Sequence, residues 1–86
     1  MDFGKAIEAL KEGKQVTRKG WNGKEMFLYM IKGTDFQNAF KYGYGEYYGE
    51  PVFTDSIVMK TAQNTLVVGW LASQTDLLAD DWVVLN

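Results

Sequence analysis

The segment Gly20-Trp21-Asn22-Gly23 places a large aromatic side chain and an amide in a stretch whose glycines indicate a loop. Arg18 and Lys24 add positive charge within a few residues of Trp21. An aromatic plane can stack on a base, an amide can bind the edge of the base, and cations can bind phosphates. Stacking a base on an aromatic side chain contributes about 1–3 kcal/mol. These residue types favour a nucleotide-binding loop, although Trp is highly buried on average, so a core position for Trp21 remains the alternative.

A second polar group follows Trp70, where Ser73, Gln74, Thr75 and Asp76 stand in succession. Ser73 can begin a short helix, and a helix N-terminus favours anions through its free N–H groups. The carboxylate of Asp76 could accept hydrogen bonds from ribose hydroxyls. The simpler alternative is a capped helix that follows a strand, with Trp70 in the core.

The residue types in this sequence favour ligand binding over catalysis or metal coordination. The chain has no His and no Cys, so it lacks the usual general base, the commonest metal ligand and any disulfide. Asp76, Asp80 and Asp81 form the local acidic cluster, and solvation of a helix is the favoured interpretation of such a cluster. The alternative is a pair of hydrolytic carboxylates. We therefore predict a binding protein with no enzymatic activity, no metal and no cofactor.

Length and composition indicate a single domain over residues 1–86. The formal net charge is -2 and no basic block stands out, so we expect no nucleic acid partner. The absence of a long apolar run or a signal-type N-terminus predicts no membrane association and a cytoplasmic location. Aromatic residues make up 15% of the chain, which hints that some aromatic surface is buried by oligomerisation.

The elements that must position these residues can be read from periodicity. Phe3, Ala6, Ile7 and Leu10 fall on one helical stripe, which predicts an N-terminal helix over residues 2–13. Strands are predicted at residues 15–19, 26–32, 52–60, 66–71 and 82–85, with a hairpin turn at 63–64. A short helix is predicted after residue 73.

Residues 33–51 have no clean period and include a Tyr- and Gly-rich stretch at 42–49. We predict a long loop there, with room for a short helical turn near residues 36–40. Adjacent strands without crossover helices predict an α+β fold: a small twisted antiparallel β-sheet with an N-terminal helix and a short C-terminal helix.

Three strings, GWNGK, MKTA and WLASQTDLLADDW, together resemble the second Thoeris anti-defence family of phage proteins. The resemblance covers nearly the whole chain except residues 34–54. It implies a sponge, which binds a cyclic ADP-ribose isomer made by Thoeris TIR enzymes and does not degrade it. The signal implied is glyco-cyclic ADP-ribose, and some relatives also bind cyclic dinucleotides.

The resemblance also implies a homotetramer in the host cytoplasm, with pockets at subunit contacts. Carried over to this sequence, the ligand-binding positions combine the two polar groups: Arg18, Trp21, Asn22, Lys24, Ser73, Gln74, Thr75 and Asp76. The Tyr- and Gly-rich stretch departs from the family pattern and leaves ligand preference open. Two other functions remain: an interaction protein that blocks a host defence protein, and an enzyme that hydrolyses the signal through Asp76 and Asp80.

Overall fold

The structure is a computed structural model that describes residues 1–21, 25–40 and 51–85. The helices in these ranges are α1 (Phe3–Lys11), α2 (Gly33–Phe40) and α3 (Gln74–Leu78). The strands are β1 (Gln15–Arg18), β2 (Phe27–Ile31), β3 (Ser56–Lys60), β4 (Leu66–Val68) and β5 (Trp82–Leu85). All neighbouring strands are antiparallel, in the order β4-β3-β2-β1-β5, so the predicted α+β fold is confirmed.

The hydrophobic core lies between α1 and one face of the sheet. Val16 pairs with Leu28 across β1 and β2, and both side chains are fully buried. Leu10 of α1 and Trp82 of β5 complete the centre of this core, and both are also fully buried. The side chains alternate along each strand, so the odd-numbered residues of β2 face away from α1.

The boundaries of α1 follow from local chemistry, as the sequence predicted. The carboxylate of Asp2 accepts a hydrogen bond from the backbone N–H of Lys5 at 2.9 Å and satisfies one free donor of the first turn. Gly13, just past the helix end, has φ +86°, a left-handed conformation that glycine adopts without a side-chain penalty. The predicted hairpin turn is confirmed too, with Asn64 at φ +63° between β3 and β4.

The helical turn predicted near residues 36–40 is present, but it belongs to a longer helix, α2 (Gly33–Phe40), so the loop predicted over residues 33–51 is wrong in its first part. Its start is fixed by a distant residue, since Asp55 Oδ1 accepts a hydrogen bond from the backbone N–H of Gly33 at 2.9 Å. Gly33 packs so closely against the backbone of Phe53 that a Cβ at position 33 would overlap the carbonyl oxygen of Phe53. Residues 41–50, which include the Tyr- and Gly-rich stretch, lie outside the described residues.

The strands β3 and β4 are several residues shorter than the sequence predicted. β3 begins at Ser56 rather than at residue 52, and β4 ends at Val68 rather than at residue 71. Gly69 has φ +86°, and the backbone N–H groups of Gly69 and Trp70 both donate to the carbonyl of Ile57 in β3, at 3.2 and 2.9 Å. The regular pairing of β4 therefore ends in a bulge at this point, and the chain continues from Trp70 towards α3.

Candidate functional site

The two polar groups of the sequence meet in space around one arginine. Arg18, the last residue of β1, donates from Nη1 to Asp76 Oδ1 and from Nε to Asp81 Oδ1, each at 2.8 Å. The side chains of Arg18 and Asp76 are both only 14% exposed. A two-pronged guanidinium contact of this kind fixes orientation as well as charge. Arg18, Asp76 and Asp81, which we call the ion triad, thus join β1 to α3 and to the start of β5.

Trp21 lies directly against the ion triad. Its indole Nε1 donates to Asp76 Oδ1 at 3.3 Å, and the residue is half-buried. The ring makes edge-to-face contacts with Trp82 and Trp70, with centroid separations of 5.4 and 6.4 Å. Part of the Trp21 ring therefore packs on the core, and part of it remains accessible to a ligand.

The aromatic layer beneath Trp21 is tied to α3 as well. Trp82 is fully buried and donates from its Nε1 to the backbone carbonyl of Asp76 at 3.0 Å. Phe3 of α1 packs on Trp82 at a centroid separation of 5.4 Å. Offset and edge-to-face aromatic contacts of this kind add about 0.5–1.5 kcal/mol per pair beyond area burial. The position of Trp21 is thus set by the core on one side and by the ion triad on the other.

The start of α3 is a capping box. Ser73 Oγ accepts from the backbone N–H of Asp76 at 3.1 Å, and the backbone N–H of Ser73 donates to Asp76 Oδ2 at 3.2 Å. Both carboxylate oxygens of Asp76 are consequently engaged, one by Arg18 and Trp21 and the other by Ser73. The sequence led us to expect a free cation at Arg18 and a free acceptor at Asp76, whereas the structure pairs these two side chains with each other.

The ionisation of the ion triad follows from these contacts. Burial favours a higher pKa for Asp76, but hydrogen bonds from Arg18, Ser73 and Trp21 outweigh it and hold the pKa below its usual value. The hydrogen bond from Arg18 lowers the pKa of Asp81 despite some desolvation. The hydrogen bonds to Asp81 and Asp76 raise the pKa of Arg18. All three side chains are therefore charged at neutral pH.

Asp81 has a role that the sequence did not reveal. Its Oδ2 accepts from the backbone N–H of Gly20 at 2.8 Å, and its carbonyl accepts from the backbone N–H of Lys19 at 3.2 Å. In the sequence, Asp81 was grouped with Asp76 and Asp80 as an acidic cluster that solvates a helix. The feature of the sequence that could have indicated this role is the position of Asp81 directly before Trp82, a residue that is buried in the structure.

Comparison with known proteins places these residues in a family. A sequence model of the Thoeris anti-defense 2-like domain matches residues 1–85. The chain is also 49% identical over 86 residues to Thoeris anti-defense 2 of Bacillus phage SP01, across all of this chain and 96% of that relative. This chain belongs to the Thoeris anti-defense 2-like family. The resemblance noted from the sequence motifs is thereby confirmed.

Of the remaining candidate positions of this Thoeris anti-defense 2-like domain, the structure describes Gln74 and Thr75. Gln74 and Thr75 are exposed in the first turn of α3, and within the described part of the chain their side chains make no hydrogen bond. Asn22 and Lys24 lie outside the described residues. Glu25, where the description resumes, has φ +63°, and Thr17 Oγ1 donates to the carbonyl of Met26 at 2.6 Å where the chain re-enters the sheet.

Three concave surfaces among the described residues are lined by residues other than Trp21. Concavities of about 370 Å³ lie beside Gly13 and Val84 and beside Phe36 and Val68, and one of about 240 Å³ lies over Tyr29. Within the ranges that the structure describes, no group of three or more Asp or Glu residues could hold a metal ion. The described helices include none that is long and apolar enough to cross a membrane.

Proposed function

We propose that this protein counters Thoeris defence in the host cytoplasm by binding glyco-cyclic ADP-ribose and sequestering it without degradation. Family membership supports the link to Thoeris. The observation that carries the binding proposal is the half-buried indole of Trp21, fixed by a hydrogen bond to Asp76 and by an edge-to-face contact with Trp82. An aromatic plane held in one orientation loses little freedom when a base or ribose packs on it, and preorganisation of this kind favours affinity.

We propose two roles for the eight candidate residues. Trp21, Asn22, Lys24, Gln74 and Thr75 are proposed to contact the ligand through an aromatic plane, amides, a cation and a hydroxyl. The other three, Arg18, Ser73 and Asp76, are proposed to hold that surface in place, because their polar atoms are already engaged with one another.

Binding is favoured over hydrolysis by the state of Asp76. A general base works best when its pKa lies near the working pH. The pKa of Asp76 is instead held below its usual value by Arg18, Ser73 and Trp21, and burial does not overcome this effect. A carboxylate that is already the acceptor of Arg18 at 2.8 Å is a poor acceptor for a proton from water.

We also propose that the protein is a homotetramer whose ligand pockets form where subunits meet. The sheet face opposite α1 is mainly apolar, and Phe27, Tyr29, Ile31, Val58 and Leu66 line a shared concavity there together with Gln15. Tyr29 is 39% exposed and Leu66 is 61% exposed. A second apolar surface adjoins α3, where Leu71 is 91% exposed. Two distinct apolar surfaces are what a tetramer with two kinds of two-fold contact requires.

A depletion experiment tests the proposed function. A filtered lysate that contains the Thoeris signal is incubated with the purified protein, and the protein is then removed by ultrafiltration. The filtrate should no longer activate a Thoeris effector, and glyco-cyclic ADP-ribose should be missing from it by mass spectrometry. A matched sample with Trp21→Ala should leave most of the signal in the filtrate. If the wild-type protein leaves the signal at its starting level, it acts on a host protein instead.

A further inference from the structure

Asp81 binds the three residues that lead into Trp21. Its Oδ1 accepts from Arg18 Nε, its Oδ2 accepts from the backbone N–H of Gly20, and its carbonyl accepts from the backbone N–H of Lys19. The turn is closed by the backbone N–H of Trp21, which donates to the carbonyl of Arg18 at 3.2 Å. Each carboxylate oxygen of Asp81 therefore accepts a hydrogen bond from the turn over residues 18–21.

The fit between Asp81 and this turn is close. A Cβ added to Gly20 would lie 2.8 Å from Asp81 Oδ2 and 3.4 Å from Arg18 Nη2. A distance under 3.0 Å requires a displacement, and the carboxylate would have to give way because the turn backbone is hydrogen-bonded on both sides. The contact thus depends on glycine at position 20 and on a carboxylate at position 81.

We propose that Asp81 is a positioning residue for ligand binding, which orients Trp21 by clamping the turn over residues 18–21 to the start of β5. Asp81 itself does not touch the ligand; it acts through Arg18 and Gly20. Because Arg18 also binds Asp76, the turn over residues 18–21 is joined to the first turn of α3 as well as to Asp81. This inference rests on the proposed role of Trp21 in binding glyco-cyclic ADP-ribose.

The test compares Asp81→Asn with Asp80→Asn. An amide retains one acceptor oxygen but places an NH₂ donor against the donors of Arg18 or Gly20, so the clamp should open. The neighbouring Asp80 has an exposed side chain, and the same charge change there leaves the clamp intact. Affinity for glyco-cyclic ADP-ribose is measured by calorimetry well below the thermal midpoint of each variant.

A second measurement reports geometry directly. Trp21 and Trp82 are in edge-to-face contact at 5.4 Å, so their electronic transitions couple and produce a circular dichroism signal that depends on ring orientation. The part due to Trp21 is defined by its loss in Trp21→Phe. This readout needs no ligand, so it judges the clamp even if the wild-type protein fails to bind glyco-cyclic ADP-ribose, a result that would refute the proposed function alone.

Asp81→Asn should lose the Trp21 part of this signal and at least about tenfold in affinity, the effect expected when a charge-assisted hydrogen bond is removed. Asp80→Asn should match the wild-type protein in both. An Asp81→Asn protein with a lowered thermal midpoint but an unchanged signal and affinity would overturn the proposal. If Asp81→Asn does not fold, Gly20→Ala decides, since it displaces the carboxylate without removing a charge; an unaltered signal and affinity in that variant would equally overturn it.

Discussion

Trp21 links the proposed ligand binding to the stability of the fold. Its indole N–H donates to a carboxylate that Arg18 also binds, and its ring makes edge-to-face contacts with two other tryptophans. A half-buried aromatic ring of this kind is held by the core and still presents area to a partner. Removal of the aromatic ring at position 21 and removal of its N–H alone should therefore have different effects on affinity and on stability.

Replacement of Trp21 separates these two contributions. Trp21→Ala should weaken binding of glyco-cyclic ADP-ribose by about 1–3 kcal/mol, the contribution of one aromatic stacking contact. Trp21→Phe keeps an aromatic plane and loses only the N–H, so it should retain most of the affinity. Calorimetry and thermal unfolding are measured on both variants. A large fall in thermal midpoint for Trp21→Ala with unchanged affinity in the folded protein would show that Trp21 serves the core alone.

Among the elements, the β1 end and α3 are joined by charge rather than by packing. Arg18 reaches Asp76 across 58 residues of sequence and Asp81 across 63. Because both carboxylates have lowered pKa values in the folded state, folding stabilises their charged forms. The free energy of unfolding that these two carboxylates contribute therefore depends on pH in a definite direction.

The contribution of the ion triad to stability should be fully present above the unfolded-state pKa of about 4 for Asp and lost as pH falls below it towards the folded-state values. Thermal midpoints measured between neutral pH and pH 2 should therefore drop steeply below about pH 4. Arg18→Gln should flatten that drop, whereas Asp80→Asn should preserve it. Equal acid sensitivity in wild type and Arg18→Gln would mean that other carboxylates set the acid limit.

The local sequence pattern was sufficient to predict some helices and strands but not others. The helical stripe from Phe3 to Leu10 predicted α1 correctly, since packing and capping agree there. Only a short turn of α2 was predicted, because the start of this helix depends on Asp55, which lies 22 residues away in sequence. The same limit applies to the site, because residue types at Arg18 and Asp76 indicated a binding surface but could not show that the two side chains bind each other.

At the scale of the whole molecule, one sheet face is covered by α1 and the opposite face is mainly apolar. The concavity on that opposite face is lined by Phe27, Tyr29 and Ile31 of β2. Soluble monomers rarely expose large contiguous apolar patches. A subunit of 86 residues also buries a smaller share of its surface than a larger domain does. Association of subunits through this face would stabilise the fold and could complete a ligand pocket around Trp21.

A charge on that face tests the assembly. Tyr29→Lys should shift the protein from a tetramer to smaller species in analytical ultracentrifugation, because a buried interface does not tolerate an unpaired ammonium group. Glu8→Lys, at an exposed position on α1, is the control and should leave the assembly intact. Glyco-cyclic ADP-ribose should strengthen the wild-type tetramer, since a ligand stabilises the state that binds it. A monomer that binds with full affinity would contradict the shared pocket.

The central claim is that the whole assembly binds its signal and leaves it chemically intact. The most direct measurement incubates glyco-cyclic ADP-ribose with excess protein for increasing times, denatures the protein by heat, and quantifies the released nucleotide by mass spectrometry. The account predicts that the starting amount returns unchanged at every time, with no free ligand before heating. Accumulation of linear ADP-ribose in proportion to incubation time would contradict it and would identify the protein as an enzyme.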